Sequence, residues 1–153
     1  MVLALAAATP SAAGETQALL GPSYGSFRHR PRRAFVSLEL DHHLDDGPFG
    51  WWGAVEGLTG DGGYLGAGPL LVWSPVSSWV VAGGSGPGYY VRQDGMDLGY
   101  ALEFRSTFYL AHRLQRAGWL GASVSHFSNA HLRSYNPGAE TLRVFWSFPV
   151  FRR

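Results

Sequence analysis

The chain is predicted to be all-β, an eight-stranded antiparallel barrel that crosses a membrane. Three observations predict it. Apolar and polar residues alternate with period two in several segments, which is the pattern of strands with two unlike faces. The apolar faces are large and continuous, with Trp146 and Phe148 together on one of them, and the opposite faces are rich in glycine and serine, which suits the crowded inside of a small barrel. Beyond the first residues, no segment offers the roughly 20 apolar residues of a spanning helix, so a chain like this in a membrane must close as a barrel.

The strands follow in order. Residues 16–27 form a first strand interrupted by Pro22, and 34–42 a second, in which Val36, Leu38 and Leu40 alternate with Ser37, Glu39 and Asp41. Residues 50–58, 64–73 and 78–91 are expected as the third to fifth, with Pro69 and Pro87 inside the last two and "GGSGPG" at 83–88 expected as a kink. The sixth, 98–112, sets Leu98, Tyr100, Leu102, Phe104, Ser106, Phe108, Leu110 and His112 against Gly99, Glu103, Arg105 and Thr107. The seventh, 119–130, sets Leu120, Ala122, Val124, His126 and Ser128 against Gly121, Ser123, Ser125 and Phe127. The eighth, 140–151, sets Glu140, Leu142, Val144, Trp146, Phe148 and Val150 against Thr141, Arg143 and Ser147. Eight strands make the smallest outer-membrane barrel, and a tilted strand needs about 9–11 residues to cross.

Alternation alone does not say which face looks inward. A soluble lipocalin-like carrier would turn the apolar faces to its lumen, and an outer-membrane barrel turns them to lipid. In the second arrangement Glu39, Asp41 and Glu103 would be matched inside by Arg105 and Arg143.

Composition bounds the partners. The 153 residues suit one domain and are 46% hydrophobic but only 15% charged, with 14% aromatic residues and 21 glycines. A net charge of +1 excludes nucleic acid as a bulk polyelectrolyte partner. With no cysteine, disulfides and thiolate metal sites are excluded. Residues 1–13 read as the back half of a secretory signal, with Ser11 and Ala13 before Gly14 but no basic segment ahead of the apolar run. The barrel domain is then 14–153.

The chemistry is concentrated in "HFSNAHLRSYNPGAE", residues 126–140. His126 and Ser128 are two apart on one strand, so they share a face with Cα atoms about 6.6 Å apart. Glu140 has the parity of the lipid-facing residues of strand eight. Pairing residue 128 with residue 140 centres the hairpin at 134 and brings the carboxylate beside the His/Ser strand. Nucleophile, base and an acid that orients the base then lie together on the barrel's oily outside, where a lipid substrate would be met. A rim serine and histidine with no chemistry, in a structural or adhesive small barrel, would give the same spacing.

The string His126-x-Ser128-Asn129-Ala130, five residues, then Asn136-Pro137-Gly138-x-Glu140 resembles the signature of PagL-type lipid A 3-O-deacylases. It covers about 15 residues, with at least seven specified, and the barrel pattern agrees more loosely over the rest. The resemblance implies an outer-membrane esterase acting on lipid A or lipopolysaccharide. Ser128 would be its nucleophile, His126 the general base and Glu140 the orienting carboxylate. It also implies Asn136 as an oxyanion donor, with a backbone N–H near His131 as the second, while Asn129 is open to either an oxyanion role or bracing the turn. No metal or organic cofactor is implied. The active site is expected toward the outer leaflet, and a homodimer is left open. Phe151 is followed by Arg152 and Arg153, a departure from the aromatic last residue usual in such barrels.

Other features are read more plainly. Arg28, Arg30, Arg32 and Arg33, in "RHRPRR", are placed in the first extracellular connection, as headgroup-phosphate ligands or an ordinary basic loop. "DHHLDDG" at 41–47 is read as a solvated periplasmic turn rather than a metal site, because neighbours on an extended chain point apart. Trp51, Trp52, Trp73 and Trp79 are expected at the membrane interfaces, with core packing as the alternative.

Overall fold

The computed structural model describes residues 14–27, 30–44, 47–57, 62–93, 97–114 and 118–151. The expected export segment, Arg28, Asp45, Asp46, Arg152 and Arg153 lie outside them. The described residues form eight antiparallel strands: β1 Thr16–Phe27, β2 Arg30–His43, β3 Phe49–Glu56, β4 Gly62–Val76, β5 Trp79–Arg92, β6 Leu102–Arg113, β7 Trp119–Ser128 and β8 Ala139–Phe151. Each pairs with the next, and β1 pairs with β8 from Thr16↔Phe151 to Ser26↔Glu140, closing the barrel. The predicted class and strand count hold.

The faces are sorted by alternation. On β7 and β8, Ser123, Ser125, Phe127, Thr141, Arg143 and Phe145 are buried, while Val124, Leu142, Val144 and Trp146 are about half exposed. β2 does the same, with Ser37, Glu39 and Asp41 inside and Val36, Leu38 and Leu40 outside. The apolar residues therefore clothe the exterior, the reverse of what a lipocalin-like carrier requires.

Aromatic side chains crowd the lumen. Trp52, Tyr64, Tyr109, Trp119, Phe127 and Phe145 are buried in it, with Tyr64 edge-on to Phe127 at 5.0 Å and Tyr109 to Phe145 at 5.4 Å. Through them runs a charged network. Arg105 Nη2 donates to Glu39 Oε2 at 2.6 Å, Arg105 Nε lies 3.1 Å from Glu56 Oε1, and Arg143 Nη2 lies 3.0 Å from Glu39 Oε2. Tyr109 donates to Asp41 Oδ2 at 2.9 Å. Two expectations change here. Asp41 is answered by a tyrosine rather than an arginine, and Glu103 is buried with no arginine partner among the described residues. Both guanidiniums converge on Glu39 because it lies between them, and Glu56 takes the remaining contact.

The aromatic expectation also needs correction. Trp51, Trp73 and Trp79 face outward, but Trp52 is 1% exposed and lies under the Arg105 guanidinium at 4.8 Å. Adjacent strand residues point to opposite faces, so Trp51 and Trp52 cannot share one belt.

The prolines are absorbed rather than disruptive. Pro22, Pro69 and Pro87 all face outward, and the ladders skip beside them, from Leu20↔Trp146 to Ser23↔Arg143 and from Gly66↔Gly88 to Leu70↔Gly84. A proline has no N–H to give, so a gap is what it leaves. The strand β2 starts earlier than expected, which puts Arg30, Arg32 and Arg33 in it rather than in a connection. Among the described residues it pairs with β3 from Ser37 to His43, and Gly57 N–H donates to Val36 O at 3.4 Å just beyond that ladder. The strand β6 starts later, at Leu102, because Gly99 takes a φ of +91° and donates its N–H to Asp97 Oδ1 at 2.9 Å, closing a turn.

Candidate active site

Strands β7 and β8 run in the register His126↔Glu140, with Phe127↔Ala139 the last pair before the loop. The expected pairing of residue 128 with residue 140 is therefore off by two, and the hairpin centres at 133. A slip of two preserves every side-chain face, so alternation could not distinguish the registers. The observed one sets the carboxylate beside the imidazole itself: His126 Nδ1 is 3.4 Å from Glu140 Oε1. Both side chains are more than half exposed, at 53% and 63%, on the outer surface. Ser128 follows two residues later on the same face, opposite Phe104 of β6. Among the described residues its hydroxyl makes no hydrogen bond in this unliganded geometry.

The loop from 129 to 138 is held both from within and by the connection before β6. Leu132 N donates to Asn129 O at 2.9 Å, and the two residues between, Ala130 and His131, have φ of 50° and 61°. Positive φ at both central positions is the type I′ pattern, strained for residues that carry a Cβ. Asn129 is fully buried. Its Nδ2 donates to Tyr135 O at 2.9 Å and Leu98 O at 3.3 Å, and its backbone N–H donates to Asn136 Oδ1 at 3.1 Å. The Asn129 amide thus ties its own loop, through Tyr135 O, to the connection before β6, through Leu98 O, which favours its bracing role, and Asn136 is oriented with its oxygen turned to the loop. The side chain of His131 is exposed. Arg133 lies over the Tyr100 ring at 5.0 Å, joining this loop to the one before β6.

Below the His126/Glu140 pair, toward the middle of the barrel, an open groove of about 680 Å³ is lined by Tyr24, Ser106, Phe108, Val124, His126, Glu140 and Leu142, with Thr107, Ser125 and Thr141 at its floor. The register explains it. Phe108↔Val124, Val124↔Leu142 and Leu142↔Tyr24 form one apolar row across four strands, directly beneath the polar row that contains His126 and Glu140. The groove therefore runs from the polar pair onto an apolar floor.

Arg30, Arg32 and Arg33 stand at the same end of the barrel. β1 places Ser26 opposite Glu140, and Phe27↔Arg30 and Gly25↔Arg33 carry the β1–β2 hairpin alongside. His42 and His43 diverge as expected. His42 Nδ1 bonds Thr16 Oγ1 at 3.0 Å, and His43 is buried against Trp119 at 5.7 Å between ring centres.

Residues 32–149 match the family model for lipid A 3-O-deacylase (PagL). The chain belongs to the PagL family. Among solved structures, it resembles the crystal structure of the outer membrane enzyme PagL with a TM-score of 0.64 and 17% identity, over 86% of this chain and 99% of that one. It also resembles Ail, the attachment invasion locus protein of Yersinia pestis. The crystal form of Ail gives a TM-score of 0.50 and 14% identity over 89% of this chain; the form in a phospholipid bilayer nanodisc gives 0.53 and 16% over 88%, each over 99% of Ail. At these identities the structures speak for the fold alone, and since an attachment protein shares it, the barrel by itself does not decide activity. No curated protein sequence matches the chain significantly. The PagL family and barrel fold make the chain a lipid A deacylase-type hydrolase of the bacterial outer membrane.

Sequence reasoning missed Glu56 in the lumen and Ser85 and Ser106 on the outer face. Ser106 carried a signal: it is a hydroxyl in a run of outward residues that are otherwise apolar from Leu102 to Leu110.

Proposed function

We propose that the chain removes the 3-O-linked hydroxyacyl chain of lipid A, using Ser128 as nucleophile, His126 as general base and Glu140 as the group that orients the imidazole. The observation that carries this reading is the 3.4 Å approach of His126 Nδ1 to Glu140 Oε1 on the lipid-facing surface of a PagL-family barrel. With Nδ1–H directed at the carboxylate, Nε2 is left as the base. It takes the Ser128 proton as Oγ attacks the ester carbonyl. The tetrahedral oxyanion is met by Asn136 and by a backbone N–H near His131. Collapse expels the sugar alkoxide, which receives the proton from His126. Water, deprotonated by the same imidazole, then releases the fatty acid from Ser128. An oxyanion donor is worth about 2.7–4 kcal/mol in the transition state.

A carboxylate on a lipid-facing surface is costly unless it is paired or near the interface. Glu140 meets both conditions, being paired with His126 and second in β8. The site is read as facing the outer leaflet. Connections at its end include 93–101 and 129–138, whereas those at the end holding both termini are confined to 44–48, 77–78 and 114–118. Outer-membrane barrels keep short turns on the periplasmic side and longer loops outside. Arg30, Arg32 and Arg33, with Arg28, are proposed to meet headgroup phosphates. All the proposed groups come from one chain, so a homodimer would add no residue to the chemistry.

The test is mass spectrometry of lipid A from cells expressing wild type or Ser128→Ala. Loss of one hydroxyacyl chain with wild type alone is the expected result. Identical lipid A from both, with the wild-type barrel folded in the membrane, sinks the assignment and favours a non-catalytic barrel.

A further inference from the structure

Four residues on consecutive strands stand in one outward-facing row: Ser85↔Ser106, Ser106↔His126 and His126↔Glu140. The end of the row away from Glu140 is a pair of hydroxyls, with Ser85 Oγ 3.0 Å from Ser106 Oγ. Both serines are exposed on the outer face. They are not at the rim. Ser106 has Phe104 and Phe108 as its outward neighbours along β6, and Ser85 has Pro87 toward the loop end of β5. They therefore form a polar spot inside an apolar belt.

Hydroxyl chemistry says what the spot lacks. Two hydroxyls own two donors, and their mutual bond uses one. Neither serine makes another hydrogen bond among the described residues, so one O–H stays open toward the hydrocarbon. An unpaired polar group there is costly, and lipid tails cannot satisfy it. A ligand can, if its alkyl chain carries an oxygen at this height. Ser106 also lines the groove, beside His126 and above Phe108. Ser128 and Ser106 are diagonal neighbours on paired strands, a spacing of about 7–8 Å that long side chains or a short ligand segment can bridge. From an attacking serine, through the ester carbonyl, to an oxygen on the second carbon beyond is at most about 5 Å, and an O–H···O hydrogen bond of about 2.8 Å covers the rest.

We propose that the Ser85–Ser106 hydroxyl pair is a specificity element: it recognises a hydroxyl carried by the acyl chain close to the ester carbonyl, so that hydroxyacyl esters are cleaved in preference to plain acyl esters of equal length. This rests on the esterase reading above and adds to it the residues that read the leaving acyl group. Ser106 makes the contact. Ser85, which bonds Ser106 and not the chain, is a positioning residue.

The experiment compares kcat/KM for two synthetic esters of one glucosamine alcohol, 3-hydroxydecanoyl and decanoyl, with purified full-length protein in detergent micelles. Folding of each variant is checked by the heat-dependent shift of barrels on gels. One net hydrogen bond predicts a wild-type preference of about tenfold for the hydroxylated ester. Ser106→Ala is expected to bring the ratio to about one, Ser106→Thr to restore it, and Ser85→Ala to lower it part-way. A wild type that cleaves both esters equally, or a ratio that survives Ser106→Ala, overturns the proposal and leaves the esterase reading standing. An equal fall on both esters in Ser106→Ala also overturns it, because the hydroxyl then serves His126 instead of the chain. A folded wild type that cleaves neither ester takes down both.

Discussion

Gly138 lies so close to the imidazole of His126 that a Cβ added there would stand 3.2 Å from Cε1. Its φ of +67° is also one that residues with a Cβ rarely adopt. Gly138→Ala is therefore expected to do two things at once. It should cost about 1–2 kcal/mol of barrel stability through backbone strain, read by urea titration in detergent. It should also displace the ring from Glu140 and lower kcat more than it raises KM in an ester assay. Full kcat in a folded Gly138→Ala protein would mean that the ring position is not critical.

Glu140→Gln separates orientation from packing. The amide keeps the shape but no longer stabilises a charged imidazole, and loss of the orienting carboxylate in hydrolytic triads costs up to about 10⁴-fold in kcat. Because Glu140 is exposed to solvent or lipid, a fall of about 10²-fold or more is expected. Its removal from the outer surface should leave folding stability within about 1 kcal/mol of wild type, since acidic residues near the interface carry only a small cost. A loss of activity that tracked a loss of folded protein would contradict this.

Asn129→Ala should loosen the loop. Its Nδ2 satisfies Tyr135 O and Leu98 O, and leaving buried carbonyls unpaired costs about 1–3 kcal/mol. Hydrogen exchange at residues 129–138 is expected to rise, with slower ester hydrolysis and little change in exchange at β2–β4. Unchanged exchange in the loop would assign Asn129 a different task.

Glu39→Gln tests the lumen. Glu39 holds both Arg105 and Arg143, and removing one partner of a buried ion pair typically costs about 3–5 kcal/mol. The midpoint of urea unfolding should fall accordingly. Protein that remains folded should keep its ester hydrolysis, because Glu39 faces the lumen and the proposed triad faces lipid. A selective loss of activity without destabilisation would show coupling across the barrel wall.

Much of this architecture could be read from the chain because a barrel wall obeys one rule, and β2, β6, β7 and β8 obey it nearly without exception. The candidate triad was legible for a related reason: its members fall within one hairpin, so parity alone puts His126, Ser128 and Glu140 on a common face. Properties set by pairing across strands were hidden. The two-residue offset that puts Glu140 beside His126 leaves every face unchanged. The Ser85–Ser106 contact depends on the β5–β6 register, and a lone serine in an apolar run reads as noise without it. Glu56 was missed because glycines at 50 and 53 blur the alternation of β3. For Trp52, composition left interface anchoring and core packing both open, and it is the parting of adjacent strand residues that sends it inward.

Trp52, Tyr109, Phe145 and the arginine pair stand in the bore of the barrel, while His126 and Glu140 stand on its outer wall, so a substrate of the proposed site would arrive sideways, from within the leaflet.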